Sequence, residues 1–349
     1  MSPRGNNSDD IEIGVSEVLK RHVTRHVAHG EPVSQRRLDF EHRRPKILRE
    51  MAAEATGVFF YVYPGISATA AFITEHAKPE FGSMLTIGFA YCFGIALAVI
   101  CCAATSGGHF NPAITVSFAV WRGFPWKKVP LYIFAQCFGA FVAGLLLMGQ
   151  YHEQLAELSH LTVKAGKGNV FGGGPASILT TYPTANQHNA GYLILIEFFV
   201  DSFLGLVIWS VLDPANPFIT PGMAPFVIGI GYAVMVWGFA PVSISTNLAK
   251  DLGCRAVATI FYGKKAWTYR GYFWISLFVN IPATLFATLY YELVLRDSLD
   301  RIAMGHGAHE DGEEGLTRHF TNTGHIQARP DNASDGTRHE DYTYHTKAY

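Results

Sequence analysis

Two short stretches, about half the chain apart, carry the residues best placed to act on a small ligand. The first runs Ser106-Gly107-Gly108-His109-Phe110-Asn111-Pro112-Ala113, and the second runs Ser243-Ile244-Ser245-Thr246-Asn247-Leu248-Ala249-Lys250-Asp251. Each sets an Asn immediately before a short apolar helical stretch, within a strongly hydrophobic half of the chain. An Asn at a helix start uses its side-chain carbonyl to cap free N–H groups and keeps its NH₂ to offer elsewhere. A helix N-terminus also carries partial positive charge. Two such tips meeting at membrane depth would hold a water by its oxygen and repel cations, protons included. A polar Asn at that depth is costly unless it faces a cavity. Asn caps in a packed bundle would explain one site. Two sites, one per half, point to a pore built from two broken helices.

Such tips need a membrane-spanning frame, and the composition supplies one. Of the 349 residues, 49% are hydrophobic and 16% charged. The mean hydropathy is only +0.15 because both ends are polar. Six apolar segments near 51–73, 83–105, 129–149, 190–212, 222–242 and 271–295 approach the length of about 20 residues that spans a bilayer. Two shorter pieces, near 111–120 and 247–260, follow the two Asn residues and read as half-helices entering from opposite faces. Three spans and a half-helix, repeated once, make an inverted repeat. The expected architecture is an all-α membrane protein with six transmembrane helices and two re-entrant half-helices. Residues 1–47 and 296–349 read as mostly disordered tails around a membrane domain at 48–295.

The basic residues Arg36, Arg37, Arg43, Arg44, Lys46 and Arg49 crowd the start of the first span, so that end is expected in the cytoplasm. Arg122, Lys127 and Lys128 agree, Lys264 and Lys265 are mildly discordant, and six spans put both termini in the cytoplasm. The 150–189 loop would be extracellular, with a Gly-rich patch at 171–175, and the proline-stiffened link at 213–221 cytoplasmic. The chain opens polar and shows no signal peptide. Cys92, Cys101, Cys102, Cys137 and Cys254 form no CxxC pair and read as small buried apolar residues. No metal, cofactor or nucleic-acid partner is expected, and nothing resembles a nucleophile–base set or a phosphate loop, so an enzyme is not expected.

The segment Ser106 to Ala113, continued by Ile114-Thr115-Val116, resembles the first signature loop of the aquaporin and glycerol-facilitator (major intrinsic protein) family. The resemblance extends to Glu54, to Tyr132 through Ala140 and to Gly271 through Trp274, covering about 48–295, and long polar tails occur in fungal members. It implies a passive channel for water and small uncharged solutes, four chains side by side, and an integral position, with the plasma membrane expected. Asn111, Pro112 and Ala113, with Asn247, Leu248 and Ala249, would be the pore motifs. Glu54, Glu197, His109 and Asp251 would support the re-entrant loops, the two glutamates by bonding exposed loop carbonyls.

The second motif departs from the family. Leu248 stands where the first motif has Pro112, whose fixed φ suits a helix start, so slightly looser geometry is expected there. Lys250 stands where the family usually has Arg, keeping the charge without the planar fork. Counting without gaps places the other constriction residues at Tyr91, Ile244 and Met235, with Val236 the alternative to Met235 if the register slips by one. Arg255 lies beyond the filter position. A ring without His or Arg, half apolar, suits glycerol, urea or hydrogen peroxide. Two further readings stay open. One is a non-conducting or gated membrane scaffold or sensor, motivated by Lys250, Leu248 and the tails. The other is a coupled secondary transporter, disfavoured because the pore lacks a buried carboxylate pair suited to proton coupling.

Overall fold

The computed structural model describes residues 34–75, 82–213, 216, 218–220 and 222–296. Residues 1–33 and 297–349 of the predicted tails and the prolines of the 213–221 link lie outside the described residues. Two units are distinguished. In one, the described residues include an exposed helix α1 (Gln35–Arg43). Its Gln35 side chain donates to Asp39 one turn on, at 2.9 Å.

The other unit covers 44–212 and 222–296. Its helices are α2 (Lys46–Thr74), α3 (Met84–Ser106), α4 (Pro112–Trp121), α5 (Val129–Gln150), α6 (His152–Lys164), α7 (Pro175–Leu179), α8 (Ala190–Val211), α9 (Ala224–Phe239), α10 (Leu248–Tyr262), α11 (Lys265–Thr268), α12 (Tyr272–Phe278) and α13 (Asn280–Tyr290). Among the described residues five helical segments are long and apolar enough to cross a membrane. The expected 222–242 span is the exception: α9 has 16 residues, or about 24 Å. Pro225 opens it, and Pro241, just beyond Ala240, disfavours helix in the residue before it. The last span is interrupted at Val279. Pro282 lacks the N–H that would bond the Phe278 carbonyl, so the ladder breaks there.

Outward stripes are apolar. Leu85, Phe89, Phe93 and Leu97 recur every four residues along α3 and are exposed, whereas Ile87, Tyr91 and Ala98 on the opposite face are buried. Exposed Leu and Phe rows are what a helix offers to lipid. Inside, small residues let backbones touch. A Cβ on Gly139 of α5 would lie 2.1 Å from the Ala55 carbonyl oxygen of α2, and one on Gly253 of α10 would lie 2.4 Å from that of Cys137. Helix α2 packs on α3 and α5, and α8 packs on α13 and α9. The half-helices cross between these groups: α4 rests on α13, and α10 rests on α5. The two loop tips therefore meet in the middle.

Candidate functional site

Both tips end in an Asn cap. Asn111 Oδ1 accepts from Ala113 N–H at 2.9 Å, and Asn247 Oδ1 accepts from Ala249 and Lys250 N–H at 2.9 and 3.2 Å. Each side-chain amide then reaches across. Asn111 Nδ2 donates to the Thr246 carbonyl at 3.0 Å, and Asn247 Nδ2 donates to the Phe110 carbonyl at 2.8 Å. The looser second tip expected from Leu248 is not found, since both first caps measure 2.9 Å. Capping depends on the Asn and the backbone N–H groups beyond it. Pro at the next position only pre-sets φ.

The residue before each Asn is in the left-handed region, Phe110 at φ 51 and Thr246 at φ 61. That conformation is unfavourable for Phe and more so for β-branched Thr. Glu54 and Glu197 hold it. Glu54 accepts from His109 and Phe110 N–H at 3.0 and 2.7 Å. Glu197 accepts from Ser245 and Thr246 N–H at 2.8 and 2.7 Å. The expectation that these glutamates bond loop carbonyls is thereby corrected: they take N–H groups. An ionised carboxylate only accepts, and the turned-in backbone at φ > 0 presents its donors. Gln136 steadies Glu54 at 2.7 Å, and Tyr272 reaches Glu197 at 3.3 Å. His109 adds ring packing to its backbone bond, stacking on Phe118 with centroids 4.4 Å apart. Asp251 supports a different segment. It accepts from the Thr180 hydroxyl, the Thr181 N–H and the Ser276 hydroxyl, and pairs with Arg255 at 2.7 Å.

The larger of two cavities, about 290 Å³, is lined by Tyr91, Ile244 and Lys250 among others. Val236 lines it too, but Met235 does not. The ungapped count to Met235 is corrected by one residue. On α9 the cavity face follows Tyr232, Val236 and Ala240 at four-residue spacing, which turns Met235 about 100° away into the core. Lys250 is 6% exposed, and among the described residues its ammonium has no hydrogen-bond or ion-pair partner. Arg255, five residues on, is fully buried. It donates to Asp251, Ser276 and the carbonyls of Thr181 and Ala266. Gly65 sits beneath Tyr91, where a Cβ would come within 2.1 Å of the ring.

The long 150–189 loop, unassigned by sequence reading, also reaches this site. Gly172, Gly173, Thr181 and Tyr182 line the larger cavity, and the Thr181 hydroxyl donates to the Ile244 carbonyl at 2.7 Å. The Gly-rich patch was its signal, since glycines in a long loop permit close backbone approach.

The smaller cavity, about 80 Å³, has Asn111 and Asn247 in its wall. Tyr61, Asp201 and Asn280 also line it, and sequence reading missed all three. Asp201 lies one turn after Glu197 on α8, and both carboxyls are buried. Two buried carboxyl groups thus stand one turn apart, with Glu197 taken up by loop N–H groups. Tyr232 lines both cavities, and its ring centroid is 5.2 Å from that of Tyr91.

The major intrinsic protein family profile matches residues 41–291. Aquaporin-3 of Laccaria bicolor is 45% identical over 261 residues, 73% of this chain and 78% of that protein. Aquaglyceroporin-2 of Rhizophagus irregularis is 35% identical over 253 residues, 71% of this chain and 77% of that one. Among solved structures, the aquaglyceroporin from Plasmodium falciparum is similar with a TM-score of 0.61 and 25% identity, covering 71% of this chain and 97% of that chain. With paired Asn-capped half-helices inside a frame of apolar helices, the chain belongs to the major intrinsic protein family of aquaporins and glycerol facilitators, and is a passive membrane channel for water or small uncharged solutes.

Proposed function

We propose that solutes pass single file between the two cavities and that the paired tips exclude protons and ions. The observation that carries this is the reciprocal bonding of Asn111 and Asn247 beside a cavity. The helix ends keep their partial positive charge, and each amide keeps a second N–H for a passing oxygen. The selectivity ring is Tyr91, Val236, Ile244 and Lys250. With one aromatic edge, two apolar walls and a mobile ammonium, it suits glycerol, urea and hydrogen peroxide as well as water. Four chains assemble side by side, and both termini face the cytoplasm of a plasma-membrane channel. Parallel stopped-flow measurement of water, glycerol and hydrogen peroxide permeability in proteoliposomes tests the reading. Electrical recording supplies the ion arm, and sizeable cation currents would overturn the exclusion argument.

One observation favours a gated form of this channel over a permanently open one. Tyr61, Tyr91 and Tyr232 cluster where the two cavities approach, with centroids 5.2 to 6.4 Å apart. Rotation of those rings would set the width of the junction. A Tyr91→Ala variant with much higher solute flux than the wild type would support gating there.

A further inference from the structure

The larger cavity is lopsided in charge. Lys250 is the only charged residue among those that line it. That residue is 6% exposed, and among the described residues its ammonium has no hydrogen-bond or ion-pair partner. The adjacent carboxylate is already taken. Asp251 is fully buried, accepts from Thr180, Thr181 and Ser276, and pairs with Arg255 at 2.7 Å. Lys250 also stands in the first turn of α10, a 15-residue half-helix whose N-terminus adds partial positive charge. A cation sunk this far from bulk solvent is costly unless a counter-charge or water meets it. The wall therefore carries one positive charge that no side chain of the cavity balances.

Much of the remaining wall is apolar. Phe72, Ile73, Ile87, Val236 and Ile244 supply it, and the Tyr91 hydroxyl joins Lys250 as a possible donor. The ligand that answers this surface is an anion with one compact charged end and a short hydrocarbon tail. A carboxylate suits the ammonium and the hydroxyl, both of which make short, strong bonds to an ionised oxygen. The flexible stem of Lys250 lets its point charge follow the anion. A sulfate or phosphate would press further charged oxygens against apolar side chains, and that desolvation is costly. Chloride has no tail to bury, and a neutral solute leaves the ammonium unbalanced. At about 290 Å³ the cavity is many times the space that one water needs, and it takes a carboxylate of about four carbons.

We infer that the larger cavity binds one short-chain monocarboxylate, with the carboxylate on Lys250 and the tail on the apolar wall, and that the bound anion plugs the pore. The inference rests on the channel reading above and adds to it a chemical class of inhibitor.

The test uses the full-length chain in proteoliposomes, with sodium butyrate equilibrated on both sides and water flux driven by a sucrose jump. Butyrate replaces chloride at constant sodium, and each protein is normalised to its own flux in chloride alone. Water flux should fall as butyrate rises, and the concentration that halves it reports occupancy. Butyramide, the neutral isostere, should need a concentration at least about tenfold higher, because the charged hydrogen bond is lost. From acetate through propionate to butyrate, the half-blocking concentration should fall roughly threefold to fourfold per methylene. Lys250→Met should raise it for butyrate at least about tenfold, and Lys250→Arg, which keeps the charge, should hold it within about threefold. Should Lys250→Met fail to fold, butyramide on the wild type decides. Equal block by butyramide, or a folded Lys250→Met protein blocked as strongly as the wild type, overturns the site and leaves the channel standing. Block that ignores chain length removes the apolar seat and overturns the proposal too, as does a water-conducting wild type that butyrate leaves unblocked. A wild-type protein that passes no water overturns the channel reading and the site with it.

Discussion

Asn111 and Asn247 are locked to each other through the backbone: each donates one amide hydrogen to the carbonyl of the residue preceding the other, at 3.0 and 2.8 Å. This exchange brings the two halves of the inverted repeat together at one point. It also orients both amides without using their second N–H groups.

Replacing Asn247 with Ala removes the cap of Ala249 and Lys250 and the bond to Phe110. Loss of a helix N-cap costs about 1–2 kcal/mol. Thermal melting of the detergent-solubilised protein should fall accordingly. In vesicles, water permeability should drop and a proton leak should emerge, read with a pH-sensitive dye trapped inside.

Glu54→Gln and Glu197→Gln should behave alike, because the two glutamates do the same work in the two halves. A Gln supplies one acceptor oxygen where a carboxylate supplied two, and turns an NH₂ toward backbone donors. Each change should destabilise the protein by about 1–3 kcal/mol, the cost of leaving a buried backbone donor unsatisfied. The Glu197 variant should lose more, because β-branched Thr246 is the harder residue to hold at positive φ. Comparative melting of the two variants checks both size and order.

At the ring, Lys250 and Arg255 should separate cleanly. Lys250→Arg replaces a mobile ammonium with a fixed fork and should favour water over glycerol. Lys250→Ala should widen the site and admit cations, since a full charge leaves a low-dielectric passage. Arg255→Ala should instead destabilise by about 3–5 kcal/mol, because it strands the buried Asp251 carboxylate. Flux per folded molecule, for water, glycerol and hydrogen peroxide, distinguishes these outcomes. A selectivity change in Arg255→Ala with none in the Lys250 variants would contradict the assignment.

The one-residue difference on α9 gives a direct comparison. Val236→Phe places a ring in the larger cavity and should reduce flux of every solute. Met235→Leu, a volume-conserving change in the core, should cost less than about 1.5 kcal/mol and leave selectivity as it was. Equal effects from both would mean that the helix face is assigned wrongly.

Much of this was legible in the residues alone. Long apolar runs predict spans because hydrocarbon accepts only internally bonded backbone, and two Asn-headed half-helices predict paired tips because a helix start needs a cap. Both are local properties, set by residue type and spacing. The position of Glu54 and Glu197 was legible too, but the backbone group they hold was not. That depended on Phe110 and Thr246 adopting positive φ, which nothing in their side chains favours and only the surrounding packing imposes. Met235 and Val236 could not be separated by counting, because a helix turns by about 100° per residue and its phase is set by its neighbours. The reach of the 171–184 segment into the larger cavity likewise depended on Asp251 and Arg255 of a distant helix anchoring it. Asp201 looked like any polar residue in an apolar run. Only the packing of α8 on α13 beside the two loop tips puts its carboxyl at the edge of a cavity, because what surrounds a buried polar atom is decided by what the rest of the chain brings to it.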